Sequence, residues 1–302
     1  AALSGSLWGG MPNNKVVGLA GSEATGKTYF ALGILKNFLD MFEESASLLN
    51  DTEGSTPIAT LSQRGIDPER VLLSEPETIE EFKTKTLRFI DAYNGLSPKD
   101  KHQVMIILDS LGMLSTTKEM ADSLAGSDKR DMTRAPAVRS AFRTLRLKLA
   151  KAGIPLIVTN HTYEVVGSYV PTKEMSGGGG LKYAADIICY LSKSKDRDTT
   201  DTKNVLGNII KVKVVKNRFA RENKEVEVKL SYTTGLDRYY GLLDLGEKHG
   251  VFKKVSKKWS FPDGRTAFEK AIYKEPEKWF TEDVLAQLEI AANKEFRYGR
   301  SE

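Results

Sequence analysis

Unbroken apolar runs alternate with helically spaced apolar positions through the first 193 residues. Val16 to Leu19 reads as a buried strand. From Thr28 to Phe42 apolar residues fall at Phe30, Ile34, Phe38 and Phe42, a helical spacing. Short strands follow at Ala46–Asn50 and Val71–Leu73, then a helix over Ile79–Tyr93. Val104–Leu108 has no polar alternation, as expected of a parallel strand covered on both faces. Val138, Phe142, Leu145 and Leu149 form another helical stripe, and Ile154–Thr159 is again a strand. This order predicts an α/β domain with a mainly parallel central sheet.

After residue 193 the pattern changes. Ile209–Val215 and Val226–Leu230 alternate apolar and polar residues, which predicts an antiparallel hairpin extending the sheet. From Gly235 onward come a short helix, a hairpin around Trp259 to Gly264 and a terminal helix. The expected division is therefore a core over 1–235 and a small C-terminal α+β region over 236–302. Two polar stretches, Ser115–Asp131 and Thr162–Ser176, read as loops after strand ends, the second leading into Gly177–Gly180. Ligands of open α/β sheets bind outside the carboxyl ends of strands, so both loops are placed to touch one.

Composition narrows the class. No apolar run approaches the roughly 18 residues of a membrane span. The first twenty residues lack a basic-then-apolar secretory pattern, so a cytoplasmic protein with no membrane partner is expected. Cys189, the one cysteine, lies in the apolar run Ile187–Leu191 and reads as a small buried residue. With one Cys and three scattered His, Cys/His metal clusters are excluded by counting. Net charge is +5, but it is unevenly spread. Residues 129–151 hold eight Lys/Arg against one Asp, and residues 203–229 hold eight against three Glu. Two basic patches on an otherwise acidic chain point to a polyanion, with two solvated faces as the plain alternative.

The chemistry starts at Gly21-Ser22-Glu23-Ala24-Thr25-Gly26-Lys27-Thr28, a full match to G-x-x-x-x-G-K-[ST] between a predicted strand and helix. The two glycines let the backbone wrap a phosphate, and the helix N-terminus adds partial positive charge. Lys27 is placed for the β/γ-phosphates and Thr28 for Mg²⁺, which makes ATP and Mg²⁺ the expected ligands. Asp109, at the tip of a buried strand, fits an acidic residue that holds Mg²⁺ through water. Glu53, after the second strand, is a candidate to orient the attacking water, with Asp51 competing for the role. Asn160-His161 ends the fourth parallel strand and is a candidate γ-phosphate contact. Lys216 and Arg218, two apart on an extended segment, share a side and suit a phosphate bound by a neighbouring subunit. Arg139, Arg143 and Arg146 form one helix face which, with Lys129, Arg130 and Arg134 upstream, could meet a phosphate backbone. Tyr163 and Tyr169 are candidates to stack on bases or simply to pack.

Together these strings resemble the RecA family of recombinases, most closely its phage UvsX branch. The likeness runs from Leu3 to about Leu288. It is carried by Gly-Gly-Met-Pro before the first strand, the 21–28 string, Gly-Ile-Asp-Pro-Glu-Arg-Val at 65–71 and Ile-Leu-Asp-Ser-Leu-Gly at 107–112. Ser-Asp-Lys-Arg-Asp-Met-Thr-Arg-Ala at 127–135, Asn-His-Thr-Tyr-Glu at 160–164, Lys-Val-Val-Lys-Asn-Arg at 213–218 and Tyr-Gly-Leu-Leu-Asp-Leu at 240–245 complete it.

The resemblance implies a RecA-like P-loop ATPase core. In it Glu53 is the catalytic glutamate, His161 the γ-phosphate sensor, and Lys216 and Arg218 the cations that complete a neighbour's site. The two loops become DNA-binding loops, and Arg143, Gly178 and Gly179 backbone contacts. The implied partners are single- and double-stranded DNA, further copies in a helical filament, and loader and single-strand-binding proteins of a phage. The implied activity is DNA-dependent ATP hydrolysis driving strand exchange. A ring helicase motor of the same fold and a nucleotide-gated regulator with little turnover are the competing readings. Two departures stand out. The chain begins Ala-Ala-Leu, almost at the core, without the family's N-terminal docking helix and strand, so weak filament assembly is expected. Thr60 stands where an adenine-stacking aromatic is common, so altered base affinity is expected.

Overall fold

The computed structural model describes residues 1–127, 132–164, 173–176, 179–198, 201–233 and 235–299. The chain divides into two compact units, Pro12–Leu191 and a second made of Ala1–Met11 with Ser192–Glu302. The division falls after Leu191, close to the change of apolar pattern after residue 193. The strands that follow Leu191 pair locally with one another, and this draws them into the second unit.

The unit Pro12–Leu191 opens with β1 (Val16–Gly21), α1 (Lys27–Met41), β2 (Ala46–Asp51), α2 (Ile58–Gln63), β3 (Val71–Ser74), α3 (Ile79–Gly95) and β4 (Val104–Asp109). It continues with α4 (Thr117–Leu124), α5 (Arg134–Ala152), β5 (Leu156–Glu164), β6 (Lys173–Met175), α6 (Gly180–Ala184) and β7 (Ile187–Arg197), which runs on past the boundary. The strand order is β7-β1-β5-β4-β2-β3 with parallel pairing, and β6 pairs antiparallel with the end of β5. Every residue of β1 is buried, which accounts for its unbroken apolar run. On the helical layer Phe82 of α3 and Phe142 of α5 are buried with ring centroids 6.4 Å apart. Burying each such side chain stabilises the fold by about 1.5–3 kcal/mol.

The stretch 115–131 is not loop throughout. Thr116 caps α4 by accepting from Glu119 N, while the Glu119 carboxylate accepts from Thr116 N. This capping box builds a helix that buries none of its residues. Likewise β5 runs past Thr159 to Glu164, because β6 supplies a partner for its last three residues. Cys189 is buried, and burial pushes its thiol up to about 12, as a packing residue requires.

The second unit contains β8 (Val205–Asn217) and β9 (Lys224–Ser231), an antiparallel pair longer than their alternating cores, with β10 (Gly235–Leu236) beside β9. Then come α7 (Leu242–Lys248), β11 (Lys253–Val255), β12 (Lys258–Ser260), β13 (Thr266–Phe268), α8 (Glu269–Lys274), α9 (Pro276–Trp279) and α10 (Glu282–Phe296). β11, β12 and β13 form a three-stranded antiparallel sheet where the sequence predicts a hairpin. Trp259, Phe252, Phe261 and Phe280 form an aromatic core with Leu243 and Leu288. No helix among the described residues is long and apolar enough to cross a membrane.

Candidate active site

Parallel pairing fixes which side chains meet. Gly21 of β1 is in register with His161 of β5, and Asp51 of β2 with Asp109 of β4. The carboxyl ends of four adjacent strands thus gather the P-loop, His161, Asp109 and the Asp51–Glu53 turn.

The P-loop leaves β1 at Gly21 and enters α1 at Lys27. A Cβ on Gly21 would lie 2.6 Å from Thr25 Oγ1 and 2.7 Å from the Leu191 carbonyl, so only glycine fits. Gly26, at the helix start, has φ 88°, and Ala24 also takes a positive φ of 55°. Thr25 is buried and its hydroxyl donates to Ser22 O at 2.8 Å, pinning the turn. Ser22 and Glu23 are exposed on it. Lys27 is buried, with Nζ donating to the carbonyls of Gly21 at 3.2 Å and Ser22 at 2.9 Å. Burial lowers its pKa, and the charges of Glu53, Asp109 and Glu23 oppose that shift.

Asp109 is buried and accepts from the hydroxyls of Thr159 and Thr28. Burial pushes its carboxyl above the usual range; the two hydroxyls pull it back, while Glu53 and Asp51 push it further. Asp51, the competitor for Glu53's role, is occupied otherwise. Its two carboxylate oxygens accept from Glu53 N at 3.0 Å and Thr56 N at 2.7 Å, so it shapes the turn. Glu53 is left partly exposed. Its Oε1 accepts from Ser110 Oγ at 2.8 Å and lies 3.2 Å from His161 Nε2. His161 is in turn tied to the residues after its strand, since its carbonyl accepts from Ser176 N at 2.9 Å. Asn160 Nδ2 donates to Ser176 O at 2.8 Å.

These residues fit a nucleoside triphosphate with a divalent cation. Among the described residues no group of three or more His, Cys, Asp or Glu could hold a metal alone. Mg²⁺ rarely needs such a group: one or two carboxylates with substrate phosphates and water suffice. Asp109 beside the Thr28 hydroxyl, among carboxylates that raise its pKa, is a donor set of that kind.

The remaining sequence candidates are placed as follows. Lys129, Arg130, Tyr169 and Gly178 lie outside the described residues. Arg143 and Tyr163 are exposed, and Gly179 stands just before α6. Arg134 does not project as a bare cation; its guanidinium donates to the carbonyls of Leu111, Gly112 and Leu114. On the α5 basic face Arg146 pairs with Asp186 at 2.9 Å, while Arg139 and Arg143 are exposed. In the second unit Lys216 and Arg218 flank the buried Asn217, whose Nδ2 donates to the carbonyls of Ala2 at 3.3 Å and Leu3 at 3.1 Å. Thr60 lies in α2, and nearby the Arg64 guanidinium sits 4.5 Å from the centroid of the Tyr29 ring. Ser110 and Thr159, which hold Glu53 and Asp109, are not singled out by sequence. Their only signal is a hydroxyl residue at the end of an apolar strand.

Known proteins resemble this sequence. A model of the RecA N-terminal domain matches residues 2–237. The chain is 31% identical over 288 residues to the recombination and repair protein of Enterobacteria phage T4, covering 94% of this chain and 70% of that protein. It is 28% identical over 265 residues to protein RecA of Cereibacter sphaeroides, covering 85% and 71%. It is 27% identical over 294 residues to protein RecA of a Caulobacter species, covering 95% and 76%. With a family match over most of its length and a relative 31% identical over 94% of it, the chain belongs to the RecA family.

Proposed function

We propose that this protein is an ATP-dependent homologous recombinase. It binds single-stranded DNA as a helical filament and exchanges strands with a homologous duplex, coupled to ATP hydrolysis. The observation that carries the reading is the Glu53 carboxylate, held by Ser110 and 3.2 Å from His161 at the strand ends that carry the P-loop and Asp109. The T4 relative's name, recombination and repair protein, supports the same reading.

In this mechanism the P-loop residues 21–28 wrap the phosphates and Lys27 offsets their charge. Mg²⁺, when bound through Thr28 and Asp109, supplies neutralisation of charge on the phosphate oxygens. Glu53 orients the attacking water and accepts its proton. His161 shares hydrogen-bonding reach of Glu53 and is joined through its backbone to Ser176, which gives the site a route to the second loop. Lys216 and Arg218 act in trans on a neighbour's nucleotide. Arg143 and Tyr163, with Lys129, Arg130, Tyr169, Gly178 and Gly179, form the DNA track.

The functional division of the chain is a core to about residue 235 and a C-terminal region over 236–302, supported by the separate aromatic core around Trp259. Loader and single-strand-binding proteins are the expected partners, in the cytoplasm of a bacterial host. The decisive test is ATP turnover with and without single-stranded DNA. Strong stimulation is expected, and its absence from an assembly-competent chain overturns the reading. Electron microscopy separates helical filaments from the closed rings of a helicase.

A further inference from the structure

Arg134 is the first residue of α5 and follows directly on the basic segment that holds Lys129 and Arg130. Sequence alone presents it as one more cation for phosphate. Its guanidinium is instead turned onto a turn of backbone, Leu111–Leu114. It donates to the carbonyls of Leu114, of Gly112 at 2.8 Å and of Leu111 at 3.3 Å, and it stands 3.8 Å from Glu119 Oε2. A planar fork of donors suits several acceptors at once, which an ammonium cannot match. Leu114 lies just before residues 115–131 and Arg134 just after them. One side chain therefore joins the two roots of that segment, and the capping carboxylate of α4 as well.

The same turn abuts the hydrolytic residues. Ser110, the residue that leads into it, donates to Glu53 Oε1 at 2.8 Å. The Ser110 backbone is held by Thr52 Oγ1 on both sides, at 2.7 Å to its N–H and 2.8 Å to its carbonyl. A Cβ on Gly112 would lie 3.0 Å from His161 Cδ2 and 3.3 Å from Asn160 Oδ1, so the turn is packed directly on the His161 side. A shift of the segment roots is thus delivered to Glu53 through Ser110 and to His161 through Gly112.

We propose that Arg134 is a positioning residue which couples single-stranded DNA on the 115–131 segment to the Glu53–His161 pair, through the 110–114 turn, rather than a phosphate contact. The inference rests on the recombinase reading above. It assigns Arg134 no contact with nucleotide or DNA.

The test compares wild type with Arg134→Lys and Arg134→Ala. Turnover is measured with and without an oligothymidylate, and oligothymidylate affinity is measured by anisotropy with a non-hydrolysable ATP analogue across a salt series. The ratio of DNA-stimulated to basal turnover is expected to fall about ten-fold, within the usual range of coupling effects. Arg134→Lys, which keeps the charge, should bind the oligonucleotide within about three-fold of wild type. The salt slope of Arg134→Ala should also be unchanged, whereas removing a phosphate contact lowers it by about one. A purely structural role would lower basal and stimulated turnover together and leave the ratio intact, which overturns the proposal. So does a lowered salt slope with the ratio restored at saturating DNA. Should Arg134→Ala not fold, Arg134→Lys carries the test. Wild type without any stimulation would instead sink the recombinase reading, a separate and recognisable outcome.

Discussion

His161 Nε2 lies 3.2 Å from Glu53 Oε1, and Ser110 Oγ donates to that same oxygen at 2.8 Å. One carboxylate oxygen is thus held from two strand ends, β4 and β5, while Glu53 itself follows β2. General-base catalysis contributes about 10²–10⁴-fold. Glu53→Gln is expected to lower turnover by about that factor. It should leave affinity for a non-hydrolysable ATP analogue nearly intact, because the change keeps the size of the side chain. Single-turnover kinetics beside equilibrium titration of the analogue decides this. An equal loss in both would show that Glu53 binds nucleotide rather than activating water.

The Thr28 hydroxyl and Asp109 form a bonded pair at the start of α1. Thr28→Val removes the hydroxyl while nearly preserving shape. The Mg²⁺ concentration needed for half-maximal nucleotide binding should rise by about ten-fold or more, as expected when one orienting or direct partner of a metal is lost. Chelation of Mg²⁺ should abolish turnover in both proteins. An unchanged Mg²⁺ requirement in Thr28→Val would remove Thr28 from the metal site.

The parallel α/β core was legible because β1 and β4 are buried on both faces and read as unbroken apolar runs. The order of the strands was not legible, since it depends on crossovers that leave no local mark. α4 was hidden by its shortness and exposure: the Thr116–Glu119 capping box is in the sequence, but the helix buries nothing, and Met120 and Leu124 on one face are too few to read as a stripe. Glu53 and Asp51 could not be told apart by spacing. The resemblance favoured Glu53, and the turn geometry adds a physical reason, since Asp51 accepts from Glu53 N and Thr56 N. The surroundings of Arg134 were hidden for a related reason, because charge is visible in sequence and the carbonyl groups it meets are not.

Glu295 of α10 gathers three cationic or protonatable groups: Lys224 at 2.6 Å, Lys248 at 2.8 Å and His249 at 3.1 Å. Burial alone would raise its pKa, but the three donors outweigh burial and hold the carboxyl at about 2, below its ordinary 4.5. A depressed folded value means that the ionised, bonded carboxylate stabilises the fold above pH 4.5, and that this contribution fades as pH falls towards about 2. Glu295→Gln should therefore cost about 1–3 kcal/mol near pH 7, the scale of hydrogen bonds to a charged group. The melting temperatures of variant and wild type should converge as pH falls from about 4.5 to about 2. A constant gap across that window would show that the carboxylate's charge is irrelevant.

Lys216 and Arg218 flank Asn217, which is anchored on every side. Its Oδ1 accepts from Phe219 N at 2.9 Å and Ala220 N at 3.2 Å, and its N–H donates to Glu222 Oε1 at 3.1 Å. Alternation along β8 sends the Lys216 side chain to the opposite side from the buried amide, while Arg218 lies beyond the strand, in the bend over residues 218–220 rather than on the extended segment the sequence suggests. If they complete a neighbour's site, Lys216→Ala should cut DNA-stimulated turnover by about 10³-fold, the lower range for a cation supplied in trans. Analogue binding by the monomer should be unaffected. Mixing supplies the sharper measurement. Lys216→Ala keeps its own P-loop, and Lys27→Ala keeps its own Lys216, so each lacks what the other has. Co-assembled on single-stranded DNA, the pair should recover part of the turnover that each lacks alone. Failure to recover, with mixed filaments seen by electron microscopy, would mean that Lys216 serves its own chain.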